Sequence, residues 1–207
     1  MMQVPDTLIT VERGFFSDPV LYCFFGYPGS GIVKVMVDIV LHNQLLGASA
    51  PEFICCDEYT IAKEEQIRVY AEIVKCTYSA KSYLNIANFN RKKAFVYLRG
   101  FNNPSEYAVY DTLFAETDVR KVLVIDCSRD LKINTKLIGG FKTGCIDGVV
   151  LTRLDMQPEI EGIVNELARL HLPLVFATES DKLPGKSIYS ENEALSQNHY
   201  TFLRTWS

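Results

Sequence analysis

Positive charge is not in excess in this sequence: 21 Lys and Arg stand against 25 Asp and Glu, for a formal net charge of −4. That balance argues against charge-driven binding to nucleic acid or to an anionic membrane. Histidine is scarce, with three residues, and the six cysteines at 23, 55, 56, 76, 127 and 145 form no C-x-x-C pair. A zinc site is therefore not expected, and no metal ligands are assigned. The cysteines in or beside apolar runs read as buried thiols of a reducing compartment. No apolar run reaches the ~18–20 residues of a membrane-spanning helix. The opening "MMQVPDTLITVERG" lacks the basic region and apolar block of a signal peptide, so a cytoplasmic location is expected.

What is present is ordinary globular composition, 48% hydrophobic and 22% charged over 207 residues. That is enough chain for one large domain with a real core. Six short apolar runs stand out: "VLYCFF" (20–25), "EFICC" (52–56), "AFVYL" (94–98), "KVLVIDC" (121–127), "DGVVLT" (147–152) and "LPLVFAT" (172–178). They are continuous rather than alternating, the pattern of strands covered on both faces. Between them lie helical stretches at 32–46, 60–75, 80–90, 104–116, 130–141 and 158–170, with a last one at 190–204. In "PEIEGIVNELARLH", Pro158 suits a first helical turn, and Ile160, Ile163, Val164, Leu167 and Leu170 form one apolar stripe. Strand and helix alternate throughout. The expected fold is a three-layer α/β domain, a mostly parallel sheet flanked by helices. Residues 19–207 are expected to form that single domain, with 1–18 as an arm or leading strand.

Two motifs carry chemical interest. In "GYPGSGIVKV" a strand-like run gives way to a helix-like stretch, with Gly26 and Gly31 at the spacing of a phosphate-binding loop and Gly29 between them. Such a loop wraps phosphates with backbone N–H groups, reaches them with a lysine and holds magnesium through a hydroxyl. Here Ile32 and Val33 follow Gly31, and only the backbone contribution remains. Lys34 starts from the opposite helix face, since two residues turn a helix by roughly 200°. The alternative is a plain strand-to-helix turn with no ligand. The second motif is "LTRLD" after the fifth run. It resembles the N/T-K-x-D motif of GTPases, which implies that Asp155 would take hydrogen bonds from a guanine, with Thr152 and the Arg153 stem beside it. The alternative is an Asp at the entry of the next helix.

Four segments resemble the G domain of the signal-recognition-particle (SRP) GTPases, a P-loop NTPase family, and its flagellar member most of all. "YCFFGYPGSGIVKVMVDIVLHNQ" resembles the family's loop and following helix. "FICCDEYTIAKEEQIRVYAEIV" resembles the family pattern D-T-Y-R-I-G-A-x-E-Q-L, with Asp57, Tyr59, Ala62, Glu65, Gln66, Tyr70 and Ala71 in register. "IDGVVLTRLDMQPEIEGIVNELARLHLPLVFAT" resembles the T-K-L-D segment and its sequel, including Asn165, Leu172 and Pro173. "KVLVIDCSRDLKINTKLIGGFKTGCIDG" fits the strand and helix before it. The departures from the family fall together. Ile32 and Val33 replace the lysine and the hydroxyl, and Thr60 replaces an arginine. The family's D-T-A-G-R falls on "YLRGF", where Tyr97 replaces the aspartate and only Gly100 is kept.

The resemblance implies a nucleotide site reduced to Gly26, Gly29, Gly31, Asp57, Gly100, Thr152, Arg153 and Asp155. The expectation drawn from it is a pseudo-GTPase that is not an enzyme. It would need no cofactor, bind GTP or GDP weakly at best, and act through protein contacts. The implied partner is an SRP-type GTPase or a flagellar or polar component, and the implied setting is flagellar placement or membrane-protein targeting, in the cytoplasm or at the inner membrane. Two alternatives stand beside it: a weak guanine-nucleotide sensor, and a divergent nucleotide-dependent enzyme using Glu58, Asp126, Asp130 or Asp155. Near the chain end Tyr200, Leu203 and Trp206 recur every three residues, as one apolar face that either packs on the domain or meets a partner.

Overall fold

Each apolar run forms a strand, and the strands pair in parallel. The computed structural model describes residues 15–18, 20–45, 47–57, 61–81, 93–115, 119–141, 145–156 and 160–178. Among these, the strands are β1 (Leu21–Gly26), β2 (Glu52–Cys56), β3 (Thr77–Ala80), β4 (Ala94–Leu98), β5 (Val119–Asp126), β6 (Gly148–Thr152) and β7 (Leu174–Ala177). The helices are α1 (Ile32–Leu45), α2 (Ile61–Ile73), α3 (Asp111–Phe114), α4 (Leu131–Gly139) and α5 (Glu161–Arg169). The seven strands lie in the order β3-β2-β4-β1-β5-β6-β7.

Both faces of the sheet are covered, which explains the unbroken apolar runs. Along β1, Tyr22 and Phe24 point into a core shared with α1 and α2. Leu21, Cys23 and Phe25 point into the opposite core, shared with α3, α4 and α5. Phe15 and Phe16, from the segment expected to be an arm or leading strand, form a 3-10 turn and lie in the first of these cores. The Tyr22 hydroxyl donates to the carbonyl oxygen of Phe15 at 2.8 Å and so holds the segment there. The stripe expected on α5 is buried at Ile160, Ile163 and Leu167.

Two elements differ from expectation. β3 is an extra edge strand, "TYSA", half-exposed along its length; too short and too polar for an apolar-run signal, it is set by its register against β2. The expected helix at 104–116 is a 3-10 helix over Pro104–Tyr110 that passes into the single turn of α3. Tyr107, Tyr110 and Leu113 are all buried there. A spacing of three eclipses such side chains on a 3-10 helix, so the burial pattern selects the tighter winding. Most of the stretch expected as a helix at 80–90, the helix at 190–204 with Tyr200, Leu203 and Trp206, and residues 1–14 lie outside the described residues. Among the described residues, no helix is long and apolar enough to cross a membrane.

Cys23, Cys55, Cys56 and Cys127 are buried, while Cys76 and Cys145 are partly exposed. Burial pushes the Cys55 thiol up to about 11 and that of Cys127 up to about 12. A thiolate is the reacting form. In the native protein a maleimide is therefore expected to label Cys145 first, Cys76 more slowly because burial pushes its thiol up to about 11 as well, and the other four only after denaturation. Labelling of Cys23 or Cys127 at the rate of Cys145, read by mass spectrometry, contradicts the packing described.

Candidate functional site

The glycine loop leaves the C-terminal end of β1 at the centre of the sheet. After β1 the chain moves to one side, through β2, β3 and β4, and it then crosses to β5 on the other. A crevice forms where the winding reverses in this way. The Ser30 N–H donates to the Tyr27 carbonyl at 3.1 Å and closes the turn. Gly29 and Gly31 both have φ of 84°, a region in which glycine carries no steric penalty. The Val35 N–H then donates to the Gly31 carbonyl at 3.0 Å, which starts α1.

Gly26 and Gly100 are present for close approach. A Cβ on Gly26 would lie 2.3 Å from the Val124 carbonyl oxygen, and one on Gly100 would lie 2.5 Å from the Gly26 carbonyl oxygen. Tyr107 fastens the same point: its hydroxyl donates to the Gly26 carbonyl at 2.5 Å and accepts from the Phe101 N–H at 3.1 Å. Tyr107→Phe removes both bonds while keeping the ring. It is expected to lower stability by about 1 kcal/mol, measurable as a shift in the denaturant midpoint without a change of slope; an unchanged midpoint contradicts a fastening role.

Residues 32 and 33 face the core rather than the crevice. Ile32 and Val33 are each 5% exposed and pack in the cluster on the α1 side of the sheet. Lys34 forms an ion pair with Asp38 one turn along its own helix.

The "TRLD" segment meets the loop directly. Thr152 Oγ1 donates to the Ser30 carbonyl at 3.0 Å. Arg153, at a φ of 54°, donates through Nη1 to the Gly29 carbonyl at 3.1 Å and to Asp126 at the end of β5. Asp126 is buried and also accepts from the Ser128 N–H at 3.0 Å and its hydroxyl at 2.6 Å. Arg129 completes the arrangement: Nη2 donates to the Pro28 carbonyl at 2.5 Å, and the guanidinium lies 5.3 Å from the Tyr27 ring centroid. Thr152 and Arg153, read from sequence as partners of a base, thus direct these polar groups at the loop. Asp155 follows them, exposed, in the 3-10 turn Leu154–Met156.

Asp57 and Tyr97 lie toward the C-terminal ends of β2 and β4, and Tyr97 packs in the core on the α1 side. Tyr97 pairs across the sheet with Phe24 of β1 and Cys55 of β2. Burial first, and then the nearby Asp57 carboxylate, hold its phenol well above the usual tyrosine range. The Lys63 ammonium lies 5.8 Å from the Tyr97 ring centroid. Gly26, Gly29, Gly31, Gly100, Thr152 and Arg153 are therefore gathered at one place, with Asp57 at the end of β2 and Asp155 on the adjoining turn. Sequence reasoning missed Arg129 and Tyr107. Arg129 had a signal in its place just beyond a strand ending in Asp126. Tyr107 had none, because its bond to Gly26 spans 81 positions.

A magnesium-bound triphosphate held in the SRP-GTPase manner needs an ammonium and a hydroxyl at the start of α1. Ile32 and Val33 supply neither, so the residues present do not fit that group in that mode. The cationic charge near the loop comes instead from Arg129 and Arg153. Among the described residues, no group of three or more His, Cys, Asp or Glu is placed to hold a metal ion.

No family model matches the chain. The flagellar biosynthesis protein FlhF of Bacillus subtilis is 20% identical over 169 residues, which cover 77% of this chain and 46% of that protein. The chain thus spans about half the length of the curated relative it matches. Among solved structures, FlhF complexed with GMPPNP/Mg2+ is similar with a TM-score of 0.72 at 18% identity, over 90% of this chain and 73% of the other. The cell division protein FtsY of Thermotoga maritima is similar with a TM-score of 0.58 at 18% identity, over 86% of this chain and 66% of the other. The chain has the fold of an SRP-type GTPase G domain and is similar to that of FlhF. This corrects the expectation that the protein is not an enzyme: FlhF and FtsY, which share its fold, are GTPases.

Proposed function

We propose that this chain is a regulatory or protein-interaction module on an SRP-type G-domain fold, with an SRP-type GTPase or a flagellar component as its partner. The flagellar setting is supported by the name of the B. subtilis relative, and the site of action is the cytoplasm or the inner face of the membrane. One observation carries the reading. The glycine loop is shaped by the chain itself, with Arg129, Arg153 and Thr152 on three successive loop carbonyls and α1 closed over Ile32 and Val33. A loop ordered in this way needs no nucleotide to present a fixed surface.

Sedimentation velocity tests this against purified G domains of FlhF and FtsY from the same organism. Complex formation is expected, with dissociation constants equal within about two-fold whether this chain is supplied with GTP, with GDP or with neither. No complex at about 100 μM, or a complex only after this chain has been loaded with nucleotide, overturns the reading.

A guanine-nucleotide sensor is the second reading, favoured by the exposed Asp155 on the turn that follows the two loop-bracing residues. Calorimetric titration with GTP, GDP and ATP, with and without magnesium, tests it. A preference for guanine that disappears in Asp155→Ala supports the sensor, and equal heats for GTP and ATP remove it.

A further inference from the structure

The Lys34–Asp38 ion pair stands where a helix ordinarily meets water. Ile32, Met36, Ile39 and Val40 recur at the spacing of one face of α1, are at most 5% exposed and pack in the core on this side of the sheet. Beneath that face lie β1 and β4. Gln44 donates to the Val74 carbonyl at 2.8 Å, just past the end of α2, and so fixes α2 along one flank. Lys34, Asp38 and Leu41 fall at i, i+4 and i+7 on the stripe opposite the sheet-facing one. A helix laid on a sheet leaves that stripe to solvent. Here the Lys34 side chain is only 13% exposed and that of Asp38 2%, and Leu41 is partly buried. Taking two charges out of water costs solvation that a pair on an open helix face does not incur. A further layer of chain therefore covers α1. The other elements described on this side are α2 and the turn at Phe15–Ser17. α2 is on the flank, and Phe16 lies against Tyr22, Phe24 and Phe95 of the sheet. Neither is placed over the outer stripe.

We infer that the segment 199–207 of this chain docks over the outer stripe of α1, with Tyr200, Leu203 and Trp206 turned toward Leu41 and the Lys34–Asp38 pair. Position favours this occupant. The His42 ring of α1 stands edge-on to Phe176 of β7, with centroids 6.3 Å apart, so α1 reaches the strand from which the chain continues to these residues. About twenty residues separate Thr178 from Tyr200, roughly 60 Å of extended chain against a helix about 20 Å long. Chemistry favours it too. The stripe offers an apolar side chain in Leu41 and a buried carboxylate in Asp38. Tyrosine and tryptophan each bring an apolar body with one polar tip, and a phenol or an indole N–H can donate to a carboxylate. Of the two roles open to Tyr200, Leu203 and Trp206, packing on the domain is then the one adopted. The surface that meets the proposed G-domain partner lies elsewhere, and the inference does not depend on that partner.

Trp206 is the sole tryptophan of the sequence, so its fluorescence reports on the segment directly. In the full chain its emission is expected at shorter wavelength than in the urea-unfolded chain, with protection from acrylamide. The double variant Tyr200→Glu with Leu203→Glu should move the emission toward the unfolded value. In the same variant, labelling of Lys34 by an amine-reactive ester, read by mass spectrometry, should rise about ten-fold. Labelling of the exposed Lys75 and Lys132 should stay as it was, which shows that the domain remains folded. The milder Leu203→Ala should shift both signals in the same direction. A wild-type emission equal to that of the unfolded chain overturns the inference. So does a variant in which Trp206 enters water while Lys34 stays protected, since the segment then packs somewhere other than α1. Release of Lys34 by removal of residues 1–14, and not by the double variant, assigns the cover to that arm and overturns it as well. A Trp206 that is solvated in the chain alone and buried on addition of an SRP-type G domain overturns docking on α1 and leaves the proposed function standing.

Discussion

Gly26→Ala is expected to lower the stability of the domain by about 3 kcal/mol, at the upper end of what overpacking costs. The new Cβ would sit 2.3 Å from the Val124 carbonyl oxygen and 2.9 Å from Ser30 Oγ. The serine side chain can turn away, but the carbonyl cannot. It belongs to β5, and Gly26 is in register with Val124 in the β1–β5 ladder, so relief means prising apart two central strands. Gly29→Ala provides the comparison. A Cβ there meets only Arg129 Nη2, at 3.8 Å, so the penalty is that of a positive φ, about 1 kcal/mol. Chemical denaturation of both variants separates close approach from backbone conformation. If the two lose the same stability, Gly26 is present for its dihedral angles and the contact with β5 is not limiting.

Ile32→Lys is expected to cost a further large amount, about 3 kcal/mol, which for a domain of this size lowers the melting temperature by roughly 10 °C. Full burial of such a side chain contributes about 1.5–3 kcal/mol, and leaving an ammonium among Val33, Val35 and Met36 adds a desolvation penalty. Lysine is at least as good a helix former as isoleucine, so the loss is one of packing. Ile32→Leu keeps the volume and should cost less than about 1.5 kcal/mol. A lysine variant that melts with the wild type would place residue 32 toward the crevice instead of the core. The measurement thus bears directly on how the loop should be understood, since a phosphate-binding loop carries a lysine directly after its last glycine.

The layered α/β architecture was legible in the amino-acid sequence alone. Continuous apolar runs such as "VLYCFF" and "KVLVIDC" are legible because a strand covered on both faces needs apolar residues at every position. The stripe on α5 was legible for the matching reason, a 3.6-residue period set by one buried face. The glycine turn and "TRLD" were legible as motifs, since spacing and residue type are local facts. β3 was not, because "TYSA" owes its strand state to pairing with β2 rather than to its own composition. The 3-10 winding at Pro104–Tyr110 was hidden for the same kind of reason, since the burial of Tyr107 and Tyr110 is decided by what lies against them. At the site, it took the folded chain to show that Thr152 and Arg153 brace the loop, that Tyr107 fastens Gly26, and that Ile32 and Val33 face the core. These are contacts between residues tens of positions apart, and a chain's periodicity carries no record of which distant carbonyl a side chain will meet.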